Sequence, residues 1–312
     1  MNQKDMSVLI KTDHEKAYDR LCKKILCNKT VLAYILKECV EEFRDIELNE
    51  ISGYINHRYI DSDGRSIVNA NTEDETIPGS KIIYDILFEV NSPDDEDMTI
   101  IINLEAQKSD YKAYPLLKRA VYYGARLLDR QKNTDEGFMH SRFHEMKKVY
   151  TIWICMSHAR VKDNAVNVYR IAENQIYGRY KSPRQDYDVL QVVMVYINTV
   201  FEYEEEDRSM QKLIHILLGK DLNIREKKRY LTEDYGILIT EEEEKEADEM
   251  CDLSLGIRLD GIEEGLAKGK QESTVLYVKN LMEKMPNLGI QEAMDILGVE
   301  ENLRDKVMEA LK

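Results

Sequence analysis

Cysteine is scarce in this chain of 312 residues: Cys22, Cys27, Cys39, Cys155 and Cys251, an odd number with no CxxC pair. That argues against a disulfide framework or a zinc ribbon and points to a reducing cytosol. Long apolar runs are missing too. The stretch from Val189 to Ile197 is broken by Gln191 and is far too short to cross a bilayer. Residues 1–16 lack an apolar h-region and a small-residue cleavage site, so no signal peptide is expected and no membrane partner. No glycine-rich phosphate loop is present, because Gly261, Gly265 and Gly269 lie in a charged stretch rather than after a strand. His140 and His144 are spaced i, i+4, but the glutamate of a helical zinc-protease motif does not accompany them. Positive charge is also short. The 44 bases face 59 acids, a net charge of -15, which argues against a generic polyanion binder but leaves room for a local basic groove.

What is present is enough for a folded protein. Hydrophobic residues make up 43% and aromatics 8%, so a real core can form, and the length suggests about two domains. The acidity is concentrated in three runs, Asp94 to Asp97, Glu202 to Asp207 and Glu241 to Glu249; outside them acids and bases balance.

Residues 13–45 read as helices, with Val31, Leu32, Ile35, Leu36, Cys39, Val40 and Phe43 at helical spacing. Residues 52–80 are polar and read as loop with at most a short strand. Four strands are expected by β-branched and aromatic content: Lys81 to Val90, Met98 to Gln107, Lys148 to Met156 and Val189 to Thr199. The first two form a hairpin through NSPDDED. Pro115 opens a helix running to Gln131, and a weaker helix is expected over 163–178. From Arg208 onward only helices are expected, including a terminal pair over 287–312. The fold class is therefore α/β, with a core over 1–206 and a helical extension over 207–312.

The most informative residues lie on the hairpin. Asp85 interrupts one apolar strand and Glu105 the next, and a charge inside a strand is costly unless paired or bound to metal. If Val90 pairs with Met98, Asp85 faces Asn103 and Glu105 is its diagonal neighbour, about 7–8 Å away at Cα. Asp85, Glu105 and Gln107 then share one face. Two such carboxylates suit Mg²⁺, which keeps several waters and bridges protein to phosphate, with Mn²⁺ as a substitute. Gln107 can orient a water through its amide but supplies no positive charge. The bland alternative makes both acids solvated residues of an exposed sheet face.

The helix from Pro115 carries Arg119, Tyr123, Arg126 and Arg130 on one stripe, opposite an apolar side. Together with Lys108 they form a candidate DNA-contacting surface, since arginine and tyrosine suit phosphate contact and stacking. An ordinary solvated helix face is the alternative. Glu42 lies at the edge of the apolar stripe of the first helical region, where a half-buried glutamate could reach the metal site; a simple surface residue is the alternative.

In these features the sequence resembles the PD-(D/E)XK nuclease family transposases, related to bacterial recombination-promoting nucleases. The resemblance rests on Glu42-Phe43, on YDILFEV with Asp85, and on NLEAQ with Glu105 and Gln107. Arg119, Tyr122-Tyr123, the strand VYTIWIC and the glycines at 261, 265 and 269 continue it, over roughly residues 8–270. It implies a restriction-endonuclease-like core, a mixed central sheet flanked by helices, and Mg²⁺-dependent cleavage of DNA in the bacterial cytoplasm. Asp85 and Glu105 would be the metal ligands, Gln107 would stand where the family motif has lysine, and Glu42 would be its helix-borne acid. The missing lysine leaves a rival reading, a non-catalytic DNA-binding or protein-interaction module. In both readings the glycine row and terminal helices are candidates for self-association.

Overall fold

The computed structural model describes residues 23–68, 73–74, 81–95, 98–107, 109–110, 114–198, 209–219, 222, 224–237, 269–285 and 288–311. Two compact units are present, one within residues 17–251 and one over the described residues after 252.

The first unit is mixed α/β. Helix α1 (Lys29–Cys39) starts where the Asn28 side chain accepts from the amides of Thr30 and Val31, and it stops at the extended Val40. A 3-10 turn (Glu41–Phe43) and the short helix α2 (Leu48–Ile51) follow. Strands β1 (Glu73–Asp74) and β2 (Ile82–Ile83) form a two-stranded ladder. The main sheet contains β3 (Ile86–Asn91), β4 (Thr99–Gln107), β5 (Lys148–Cys155), β6 (Val166–Arg170) and β7 (Leu190–Tyr196), in the order β3-β4-β5-β7-β6. The β4-β5 and β5-β7 pairs are parallel, and the outer pairs are antiparallel. Central β5 and β7 are buried along their whole lengths, as the near-continuous apolar run of an internal parallel strand requires. Helix α3 (Leu116–Arg130) crosses one face, packing Leu116 and Ala120 on Trp153, Cys155, Val192 and Met194.

Several expectations are corrected. The strand expected over 81–90 is broken at Tyr84 and Asp85 into β2 and β3. The hairpin register is shifted by two residues: Val90 pairs with Ile100, not Met98, because Ser92 donates its amide to the Met98 carbonyl at 2.8 Å and tightens the loop. An even shift keeps every side chain on its expected face. The helix expected over 163–178 is instead β6 followed by an irregular loop. Val166 and Val168 find their partners on β7, a pairing that local periodicity does not reveal.

The first unit also extends past residue 206. Helix α4 (Met210–Leu218) is buried along its length, and the Met210 amide donates to Glu38 Oε1 at 2.7 Å. Helix α5 (Ile224–Tyr235) follows, and its Tyr235 ring meets Tyr34 of α1 edge-on at 5.2 Å.

The second unit holds a helix over 269–284 (α6), then α7 (Ile290–Ile296) and α8 (Glu301–Ala310), the terminal pair expected from the sequence. Val278, Ala293, Met294, Leu303 and Val307 form its core. Gly261 and Gly265 lie outside the described residues. Among the described residues no helix is long and apolar enough to cross a membrane.

Candidate active site

Asp85 stands in the break before β3, and Glu105 lies near the carboxyl end of β4. In an open α/β sheet that is the end where ligands bind. The ladder pairs Ile86 with Leu104, so the next position along it sets Asp85 directly across from Glu105 rather than diagonal to it. The two residues are cross-linked. The Asp85 amide donates to Glu105 Oε1 at 3.2 Å, and the Ala106 amide donates to Asp85 Oδ2 at 3.2 Å. Each acid is therefore oriented by the backbone of the other strand.

Their environments differ. Glu105 is 1% exposed. Burial, and then the charge of Asp85, push its carboxyl up to about 8; the Asp85 amide and Arg119 offset this only in part. Asp85 keeps some solvent contact and pairs with the Lys23 ammonium, Nζ to Oδ1 at 2.8 Å. Nothing in the sequence marks Lys23: it is one of two adjacent lysines among apolar residues, Leu21 to Cys27, and only the tertiary fold brings it to Asp85.

Gln107 ends β4 on the same side as Glu105 and is buried. The floor continues on β5, where Trp153 is the ladder partner of Glu105 and Thr151 that of Asn103. Thr151 Oγ1 accepts from Asn103 Nδ2 at 2.9 Å and from Trp153 Nε1 at 2.7 Å. Above this floor, Arg119 donates to Tyr123 Oη at 2.9 Å and sits 4.9 Å from the Tyr123 ring centre and 5.3 Å from that of Trp153. Tyr123 in turn meets Tyr84 and Trp153 edge-on.

The basic stripe of α3 borders the side that packs on the sheet: Arg126 is buried, which corrects its expected role as a DNA contact, while Arg119, Tyr123 and Arg130 are half-buried. Arg126 is buried and paired with the buried Asp74, Nη2 to Oδ1 at 2.8 Å, while Tyr84 donates to the other Asp74 oxygen at 3.3 Å. Arg130 is half-buried and lines a small cavity of about 60 Å³ with Leu127 and Glu89. Of the stripe, Arg119 and Tyr123 belong to the carboxylate site. Lys108 lies outside the described residues. Asp74 had no visible signal, because its partner is far along the chain.

Glu42 is a further correction. It lies in the 3-10 turn after α1 and binds Lys148 Nζ at 2.8 Å and Tyr150 Oη at 2.7 Å. Lys148 and Tyr150 are at the amino end of β5 and alternate with Thr151 and Trp153, so they point to the other face of the sheet. Glu42 does not join Asp85 and Glu105. His144 is exposed in a 3-10 turn, and among the described residues no group of three acid, histidine or cysteine side chains converges.

The donor set suits a hard divalent cation. Asp85 and Glu105 are two oxygen-bearing acids whose mutual repulsion and burial leave Glu105 reluctant to ionise, a condition that a cation relieves. Two carboxylates leave the remaining positions to water and phosphate, as Mg²⁺ prefers. No protein-family model, curated protein or solved structure matches the chain.

Proposed function

We propose that the chain is a Mg²⁺-dependent DNA endonuclease with a restriction-endonuclease-like core of the PD-(D/E)XK type, associated with transposition or recombination and acting in the bacterial cytoplasm. The observation that carries this reading is the cross-linked pair Asp85 and Glu105 with the Lys23 ammonium against it. Asp85 and Glu105 would hold Mg²⁺, or Mn²⁺ in its place. Bound there, the cation would supply an acidified water and a screen for the phosphate charge.

The chain's own residues do the rest. Lys23 holds a positive charge against Asp85, and its ammonium can stabilise charge developing on a phosphate oxygen. The Gln107 amide orients the attacking water. Arg119, held by Tyr123 and Trp153, adds positive potential next to Glu105. Hydrolysis forms one bond from water oxygen to phosphorus and breaks one ester bond, and the departing sugar oxygen takes up a proton. The terminal helices are the candidate for self-association, with Leu276, Tyr277 and Ile296 exposed on that unit.

The test is nicking of supercoiled plasmid in Mg²⁺ by the wild type beside Asp85→Ala and Glu105→Ala. Nicking that both substitutions and EDTA abolish supports the enzyme. A folded protein that never nicks moves the reading to the non-catalytic DNA-binding or interaction module.

A further inference from the structure

Arg126 of α3 is buried and its neighbours on the stripe are half-buried, so a fully exposed basic and aromatic surface has to be sought elsewhere in the fold. The loop over 171–183, which leaves the edge strand β6, has the chemistry. Its tip reads Ile176-Tyr177-Gly178-Arg179-Tyr180-Lys181. Ile176 is 94% and Tyr177 99% exposed, and Tyr180 is also exposed. From Asn174 to Arg184 there is no acid, in a chain of net charge -15.

The loop is nevertheless held in shape. Arg170 at its start and Arg184 just past its end both bind the Glu41 carboxylate, with Nη1 to oxygen distances of 3.2 and 2.8 Å. Inside it, the Ser182 amide donates to Glu173 Oε1 and Gln175 Nε2 to the Tyr180 carbonyl, each at 3.3 Å. Gly178 turns the tip with φ +86°. A loop pinned at both ends that presents two phenol rings and two cations to solvent is preorganised for a ligand. Exposed aromatics interleaved with arginine and lysine match a stacked, negatively charged chain.

We propose that this loop is a binding site for unpaired DNA, with Tyr177 and Tyr180 stacking on bases and Arg179 and Lys181 meeting phosphates. A duplex hides its base faces, so stacking selects the single strand. The proposal rests on the nuclease reading only for the polymer's identity. β6 is the sheet edge farthest from β3, and Arg170 pairs with Gln191 at the end opposite Glu105. The loop is therefore an exosite that sets affinity, not chemistry.

The experiment is fluorescence anisotropy of the full chain in EDTA, with labelled oligothymidylate and a duplex of equal length, over a salt series. Tyr177→Ala/Tyr180→Ala should weaken oligothymidylate binding about tenfold or more without changing the salt slope. Arg179→Ala/Lys181→Ala should reduce that slope by about 1.4, or roughly 0.7 per lost phosphate contact. Both variants should melt as the wild type does, since the side chains are exposed. Unchanged affinity in both, tighter binding of an equivalent RNA, or a change of sedimentation in place of affinity would overturn the proposal. Loop effects without any plasmid nicking count against the nuclease reading alone, and nicking without loop effects counts against the loop alone.

Discussion

Asp85 and Glu105 orient each other: the amide of the first holds the carboxylate of the second at 3.2 Å. Burial and the Asp85 charge keep Glu105 protonated up to about 8, against an ordinary value of 4.5. Between those limits the folded chain binds more protons than the unfolded chain, so metal-free stability falls as pH rises through that window. Glu105→Gln should remove the loss, melting several degrees above the wild type at pH 8 in EDTA and close to it at pH 5. Added Mg²⁺ should raise the wild-type melting temperature at pH 8 and leave Glu105→Gln unmoved. Thermal scans across pH in EDTA and in Mg²⁺ check both.

Lys23 brings a positive charge to Asp85 through a 2.8 Å pairing. Lys23→Met should lower the cleavage rate roughly 100-fold, the scale of losing one charged donor to a developing oxyanion. Lys23→Arg should recover part of it. Initial rates at saturating DNA separate this from a binding defect, because oligonucleotide affinity should change little.

Arg126 and Asp74 form a buried pair away from solvent. Arg126→Ala strands the Asp74 charge and should cost about 3–5 kcal/mol of stability. A double replacement, Arg126→Met with Asp74→Leu, should recover much of it. Denaturant titration measures both. Loss of DNA affinity by Arg126→Ala at full stability would return Arg126 to the DNA surface.

Much of this was legible in the sequence, and the failures share a cause. The apolar, β-branched strands β3, β4, β5 and β7 and the amphipathic α3 declare themselves through local pattern. A hairpin then brings Asp85 and Glu105 together even when the register is misjudged by two, because side-chain parity survives an even shift. What stayed hidden depends on partners distant in sequence. Arg126 turns inward because Asp74 meets it 52 residues away. Glu42 is claimed by Lys148, 106 residues on. Lys23 serves Asp85, and β6 exists because β7 is there to pair with it. Helical periodicity identifies a stripe; it does not say which side of the stripe meets the sheet.

The assignment of the site turns on Glu42, which binds Lys148 and Tyr150 on the sheet face opposite Asp85 and Glu105. The most direct measurement is single-turnover cleavage of an end-labelled DNA in Mg²⁺ by wild type, Glu42→Gln, Asp85→Asn and Glu105→Gln, each normalised to its folded fraction. Cutting by wild type and Glu42→Gln at similar rates, with none by Asp85→Asn or Glu105→Gln, is the expected result. Cutting that survives Glu105→Gln but fails in Glu42→Gln would contradict the account and move the chemistry to the other face of the sheet.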